Sequence, residues 1–516
     1  MHTIGDWLRL NYRRHPGKEA LVGADSRLTY GELAERSWQL ARGLASKGVS
    51  KGEVVGVLAG NSVFNAELYF GIASLGAVYG AYNWRWAAVE LAGGVKESSP
   101  NWLLCEDRFR ALAEEAMEIL AADPDFAGTI PAIVSESEMS SLRAGEGEFH
   151  AEVSIDDPLC LIYTGGSTGV PKAVVLSHRA AVTNSINEMV SCELGVRPDD
   201  RGLVLTPMFH SAALLCWLTT HFISGATSII APQFDEETMV DLVERERVTN
   251  TFMIPNMMRR VMQAGVFSTP AFQQTFRALH TGAGLLRMPD KERFREILPN
   301  ADLFFRYGLT EAGPQVTRLH TRDMLNPEVD GSIGEEYFGV EAEVKYPGSD
   351  EICAPGDLGE ICVRGPSLMW GYLNRPEATA EAIQGGWLRT GDLAVRDERG
   401  YFFFRDRLKE MIKTGGENVY SAEVEQVLYT HPGVLEAAVV GVPDLKWDEE
   451  VRAVIVVREG QEANEEDLKA HVRTQLAGYK VPKVFEFVAA DFLPRSAAGK
   501  LEKSKLKTKL GWLPEE

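Results

Sequence analysis

Cysteine is scarce: Cys105, Cys160, Cys192, Cys216, Cys353 and Cys362 are the only six in 516 residues, and none forms a C-x-x-C pair. That scatter fits neither a zinc site nor a disulfide scaffold and points to a reducing, cytoplasmic setting. Positive charge is also short, with 53 Lys and Arg against 74 Asp and Glu and a formal net charge of −21. So acidic a chain repels nucleic acid and anionic membranes, and any polyanionic substrate must meet a local basic pocket. No stretch approaches the roughly 18 apolar residues of a membrane span. The first residues, Met1 to Trp7, lack the basic-then-apolar pattern of a signal peptide.

What is present is a globular composition, 45% hydrophobic and 25% charged. The length exceeds what one hydrophobic core organises, so two or more domains are expected. After Leu28-Thr29-Tyr30-Gly31-Glu32-Leu33, the spacing of Leu33, Leu40 and Leu44 predicts an amphipathic helix. Val54 to Leu58 reads as a buried strand, Phe64 to Leu75 as a helix and Gly76 to Gly80 as a second strand. Such alternation implies an α/β fold with parallel sheet and covering helices.

The chain is organised around Tyr163-Thr164-Gly165-Gly166-Ser167-Thr168-Gly169-Val170-Pro171-Lys172. Apolar runs flank it, Leu159 to Tyr163 and Ala173 to Leu176, and read as two strands joined by a glycine-rich loop. Its glycines let backbone N–H groups turn toward one anion, while the hydroxyls and the Lys172 ammonium add donors and charge. The lysine does not directly follow the last glycine, and Pro171 withholds an N–H, so this is not a Walker loop. The same residue types also build plain hairpin turns.

The order of residues resembles the signature loop of the adenylate-forming superfamily: acyl-CoA synthetases, luciferases and peptide-synthetase adenylation domains. Further blocks of that family recur in order. Phe305-Arg306-Tyr307-Gly308-Leu309-Thr310-Glu311 contains its Tyr-Gly-x-Thr-Glu, Trp387 to Asp392 its Trp-x-x-Thr-Gly-Asp, and Leu493-Pro494-Arg495-Ser496-Ala497-Ala498-Gly499-Lys500 its block of a proline, a few residues and Gly-Lys. The match is closest to fatty-acid and 4-coumarate-type CoA ligases. Two residues depart from the common pattern: Gly165 stands where many relatives have serine, and Ala173 where glycine is commonest. Altered loop mobility is expected from these, not lost activity.

The resemblance implies a large, multi-subdomain N-terminal α/β domain over residues 1–405, a hinge at 406–409 and a small mobile α+β lid at 410–516. It implies an ATP-dependent acyl-CoA ligase working through an acyl-AMP, with ATP, Mg2+ and coenzyme A as cofactors and co-substrates. ATP or AMP would be held by Thr164, Gly165, Gly166, Ser167, Thr168, Gly169 and Lys172, by Gly282, Ala283 and Gly284 against adenine, and by Arg306, Tyr307, Gly308 and Thr310. Asp392 would take the ribose hydroxyls, and Arg407 would also contact the nucleotide. Lys500, Thr164, Glu311 and His210 are the expected catalytic residues, Lys409 the pivot, and Lys413, Gly415 and Gly416 the coenzyme A loop.

A carboxylate beside a triphosphate is unfavourable without a divalent cation, so Glu311, with Thr168, is the expected metal pair; a helix N-cap at Thr310 with Glu311 in its first turn is the plainer alternative. His210 follows Phe209 where amino-acid-activating relatives carry aspartate, which disfavours an α-amino acid. Met208, His210, Trp217, Met253 and Met257 are the expected acyl pocket, although methionine clusters also serve as core filler. The partners are then a small carboxylic acid, medium-chain fatty or aryl/alicyclic, and coenzyme A, with a homodimer allowed. Transfer to a carrier protein and a silent nucleotide binder are the alternatives.

Overall fold

In the computed structural model, which describes residues 2–24, 26–164, 171–191, 196–284, 286–414, 417–496 and 501–513, the early alternation is realised as expected. Helix Tyr30–Ser46, strand Val54–Leu58, helix Val63–Leu75 and strand Val78–Ala81 follow one another. A capping box starts the first of these helices: the Thr29 hydroxyl accepts from the Glu32 N–H, and Glu32 accepts from the Thr29 N–H at 2.8 Å. Helix Val63–Leu75 is buried at every position: its sequence is largely apolar, and its one charged residue, Glu67, is paired with Arg36 and Arg143. Of the residues singled out above, Gly165, Gly166, Ser167, Thr168, Gly169, Gly415, Gly416 and Lys500 lie outside the described residues.

The chain divides into two units, Met1–Ala342 with Val363–Arg389, and Glu343–Cys362 with Thr390–Glu516. The first unit holds a seven-stranded sheet in the order Gly371–Tyr372, Lys172–Ser177, Pro158–Thr164, Val78–Ala81, Val54–Leu58, Trp102–Cys105, Ala132–Ser135. Its last five strands run parallel, while Lys172–Ser177 folds back antiparallel on Pro158–Thr164. A nine-stranded sheet in the same unit carries the parallel neighbours Arg201–Val204, Asn250–Phe252, Ala278–Gly282 and Asp302–Gly308.

The second unit contains helix Ser421–Tyr429, the long hairpin Val434–Asp444 with Asp448–Val457, helix Glu465–Arg473 and helix Lys503–Lys509. Its core gathers Ile412, Val424, Leu428, Val439, Ile455 and Leu468. The division between units falls before residue 405. Strand Trp387–Arg396 pairs with Phe402–Arg407 from Asp392 opposite Arg407 to Arg396 opposite Phe402, so a ladder binds this stretch into the second unit. The expected hinge, residues 406–409, begins within strand Phe402–Arg407, and strand Ile412–Thr414 follows it.

Candidate active site

The strands flanking the glycine-rich loop place Thr164 opposite Lys172. On the other side of Lys172–Ser177, Tyr372 lies opposite Val174, which makes it the diagonal neighbour of Lys172 on the same face. The consequence is a cation–π contact, with Lys172 Nζ 4.8 Å from the centre of the Tyr372 ring. Glu311 completes the group. Its Oε1 accepts from Thr164 Oγ1 at 3.3 Å and from the Tyr372 hydroxyl at 3.1 Å. Burial and the Glu311 charge push the Tyr372 phenol up, so it remains a protonated donor. Three residues drawn from two separate sequence blocks are thus brought together, with Tyr372 as a fourth that no block had marked.

Glu311 sits on the turn Thr310–Ala312 after strand Asp302–Gly308. A Cβ on Gly308 would lie 1.9 Å from the Pro314 carbonyl oxygen, so the strand can close on that turn only with glycine there. Thr310 does not cap with its side chain; its Oγ1 lies 2.8 Å from Ser211 Oγ, next in sequence to His210. His210 is half-buried, its ring centre 4.4 Å from that of Phe209 and its N–H donating to the Pro207 carbonyl at 3.0 Å. Asn61, which the sequence did not flag, fixes this turn: it accepts from the Met208 N–H at 2.8 Å and donates to the Thr206 carbonyl at 2.9 Å.

Met208, Leu214, Leu215, Trp217 and Met253 are buried, and Met257 is half-buried. Met257 lies on helix Pro255–Gln263, which Pro255 starts at its first position after strand Asn250–Phe252 has ended. Trp217 rides on a π-helical turn, Ala212–Thr219, with its ring 5.0 Å from the His280 ring. The Arg306 guanidinium lies over the same indole at 5.7 Å and donates to Glu188 and to His280 Nδ1. Glu188 also accepts from Gln315 Nε2 at 2.9 Å and from the Tyr337 hydroxyl at 3.2 Å. Burial, then the Arg306 charge, holds His280 well below the usual histidine range. A nucleotide role for Arg306 would require it to leave these partners. Gly282 packs against the neighbouring strand, where a Cβ would meet the Arg306 carbonyl oxygen at 2.4 Å. Strand packing therefore accounts for this glycine without a ligand, and Ala283 follows it with φ +60.

The second unit carries its own set. The Asp392 N–H donates to Thr390 Oγ1 at 3.1 Å, the Thr390 hydroxyl donates to the Ile361 carbonyl at 2.7 Å, and the Gly391 N–H donates to Glu360 Oε1 at 2.8 Å. Arg407 faces Asp392 across the ladder, Nε to Oδ1 3.5 Å, and is exposed, as are Lys409 and Lys413. Beside them lies a half-buried cluster that nothing in the sequence had signalled. Lys503 Nζ lies 2.8 Å from Glu425 Oε1 and 3.3 Å from Glu410 Oε2, and donates to Ser421 Oγ at 2.6 Å. The Ser421 hydroxyl in turn donates to Asp406 at 3.1 Å. Burial pushes the carboxyls of Asp406 and Glu425 up; it also opposes the Lys503 charge, but the carboxylates outweigh it and hold the ammonium above its ordinary value.

Among the described residues, no group of three His, Cys, Asp or Glu side chains could hold a metal. A magnesium ion carried in with phosphates needs only one protein carboxylate. Among the described residues no donor meets Glu311 Oε2, so this oxygen suits the task.

The family described as AMP-binding enzyme matches residues 8–373, and its C-terminal domain family matches residues 423–500. A feruloyl-CoA synthase from Amycolatopsis sp is 36% identical over 98% of this chain and 99% of its own. The long-chain-fatty-acid–CoA ligase FadD13 of Mycobacterium tuberculosis is 35% identical over 98% of each chain. Among solved structures, the o-succinylbenzoate coenzyme A synthetase from Bacillus subtilis, in complex with ATP and magnesium ion, superposes with a TM-score of 0.85. It is 30% identical and covers 97% of this chain and 99% of its own.

Proposed function

We propose, for a chain that belongs to the AMP-binding enzyme family and is an ATP-dependent, AMP-forming acyl-CoA ligase, that its acid is an apolar monocarboxylate, either medium-chain aliphatic or aryl/alicyclic. The observation that carries this is the burial of Met208, Leu214, Leu215 and Trp217, close in sequence to His210, and of Met253, whose N–H donates to the His280 carbonyl at 3.0 Å. The relatives, a feruloyl-CoA synthase and a long-chain-fatty-acid–CoA ligase, support the same reading.

In the first half-reaction a carboxylate oxygen of the acid bonds to the α-phosphorus of ATP, the bond to the bridging oxygen breaks, and pyrophosphate leaves. In the second the thiol sulfur of coenzyme A bonds to the acyl carbon, the bond to the phosphate oxygen breaks, AMP leaves with that oxygen, and the thiol proton passes to solvent. Neither step needs a strong acid or base; both need charge neutralised and reactants aligned. Lys172 and the Thr164 hydroxyl supply positive charge and a donor to the phosphates. Glu311 is the carboxylate for magnesium, which would offset phosphate charge when bound. His210 lies against the acid's carboxylate, Asp392 and Arg407 hold the ribose end, and Lys500 serves adenylation. Lys409 is the pivot, and Lys413 with Gly415 and Gly416 meets the pantetheine arm. Mixed-anhydride formation needs a dry site, which gives the 410–516 segment its lid role. The buried thiols Cys105, Cys160 and Cys216, which burial pushes up, suit a cytoplasmic setting.

The test is a panel of fatty, aromatic and alicyclic acids assayed for acid-dependent AMP release. Each added methylene is worth about 0.8 kcal/mol of burial, so activity should climb roughly fourfold per carbon until the pocket is full. Acetate, malonate or an α-amino acid outperforming every medium-chain and aryl acid would overturn the substrate assignment.

A further inference from the structure

Tyr372 touches two of the groups assigned to the phosphate end of the site, and it does so with two different parts of one side chain. Its ring face lies under Lys172 Nζ at 4.8 Å, and its hydroxyl donates to Glu311 Oε1 at 3.1 Å. The ring is held from behind. The Tyr372 N–H donates to Thr379 Oγ1 at 2.9 Å, the Leu373 N–H to the Ala173 carbonyl at 2.8 Å and the Trp370 N–H to the Val175 carbonyl at 2.9 Å. Gly371 permits this seat: its φ is +147, and a Cβ there would meet Thr379 Cγ2 at 2.5 Å. Tyr372 is therefore fixed by its backbone before it meets either charged group.

We propose that Tyr372 is a positioning residue that aligns Glu311 and Lys172 as one unit for the metal–triphosphate. This role rests on the reading of Glu311 as the magnesium carboxylate. Both donors that reach the Glu311 carboxylate among the described residues, Thr164 and Tyr372, bind the same oxygen, which pins the carboxylate and leaves Oε2 to the metal. The ring face meanwhile draws the Lys172 ammonium toward the carboxylate side without an ion pair that phosphate would have to break. Thr164 alone, at 3.3 Å, does not fix the carboxylate's rotation.

The two parts of the side chain can be removed separately. Tyr372→Phe keeps the ring face and loses the hydroxyl; Tyr372→Leu loses both. ATP binding is measured by calorimetry with magnesium and with EDTA, beside the magnesium dependence of adenylation. The expected result for Tyr372→Phe is unchanged metal-free ATP affinity and a roughly tenfold higher magnesium requirement, the loss of one hydrogen bond to a charged group. Tyr372→Leu should also weaken metal-free ATP binding by about threefold to fivefold through Lys172. Combining Tyr372→Phe with Glu311→Gln should add little to Glu311→Gln alone. A magnesium requirement unchanged in Tyr372→Phe while Glu311→Gln shifts it would overturn the positioning role and spare the metal assignment. A requirement unchanged in both would remove the metal assignment itself. Equal loss of metal-free ATP affinity in the Phe and Leu variants would show a structural residue only.

Discussion

Arg306 and Glu188 form an ion pair inside the first unit, with the guanidinium donating to a carboxylate that Gln315 and Tyr337 also satisfy. Both residues are buried, Glu188 completely. A pair like this adds little net stability, yet removing one partner strands the other's charge in the interior. Arg306→Met should therefore cost about 3 to 5 kcal/mol of unfolding free energy, most of which should return in Arg306→Met/Glu188→Gln. Denaturant titration of the two variants checks this. If the double variant, once folded, also binds ATP with native affinity, Arg306 acts through packing and not through nucleotide contact.

Glu311→Gln keeps the shape of the side chain and its place beside Thr164 and Tyr372, but removes the hard anionic oxygen a magnesium ion prefers. The fold should be unaffected, and half-maximal adenylation should need roughly tenfold more magnesium, the loss of one charged contact. A magnesium titration of acid-dependent pyrophosphate release gives the answer; an unshifted curve would return Glu311 to a turn-forming role.

How much of this was legible in the sequence depends on the kind of signal. Thr164, Lys172, Glu311, Asp392 and Arg407 were marked by the order of short blocks, and the structure brings the first three together in one unit and pairs the last two in the other. Tyr372 escaped because its role comes from strand register: it pairs opposite Val174, nearly two hundred residues away in sequence, and no local pattern announces that. Asn61 and Lys503 escaped for the same reason, since each meets its partners across long chain separations. Asp406 opens a stretch of alternating basic and acidic residues, yet it is buried against Ser421, and the ladder with Trp387–Arg396 carries the strand it belongs to.

Acid sensitivity should be set partly by His178. It is fully buried, and its Nδ1 accepts from the Ile4 N–H at 3.2 Å, a bond that protonation would destroy. Burial pulls the ring from 6.5 down to about 4, against the opposing pull of Asp157 and Asp6. The folded state thus resists a proton that the unfolded chain takes up below 6.5. The contribution is fully present above that pH and is lost as pH falls from 6.5 toward about 4, on the order of 3 kcal/mol over the window. Thermal unfolding followed from pH 8 to 5 should show a shallower decline in His178→Gln than in the native chain. Parallel curves would mean that other groups carry the acid transition.

The final prediction separates the two half-reactions. Lys500 and Gly416 lie outside the described residues, and their roles rest on the block order alone. If the lid presents one face for adenylation and another for thioester formation, single changes should damage one step and spare the other. Lys500→Ala removes an ammonium from the charge developing at the α-phosphate, which by analogy with loss of one oxyanion donor costs about 3 to 4 kcal/mol, or roughly 10² to 10³ in rate. The same variant, given acyl-adenylate and coenzyme A, should still make thioester at a near-native rate. A bulky side chain at Gly416 should do the reverse, leaving adenylation intact and blocking the thiol's approach. Single-turnover assays with pyrophosphate release for the first step and thioester formation for the second read the two directly. A Lys500 variant equally slow in both would mean that one lid position serves the whole reaction, and the expected pivot at Lys409 would then have no step to separate.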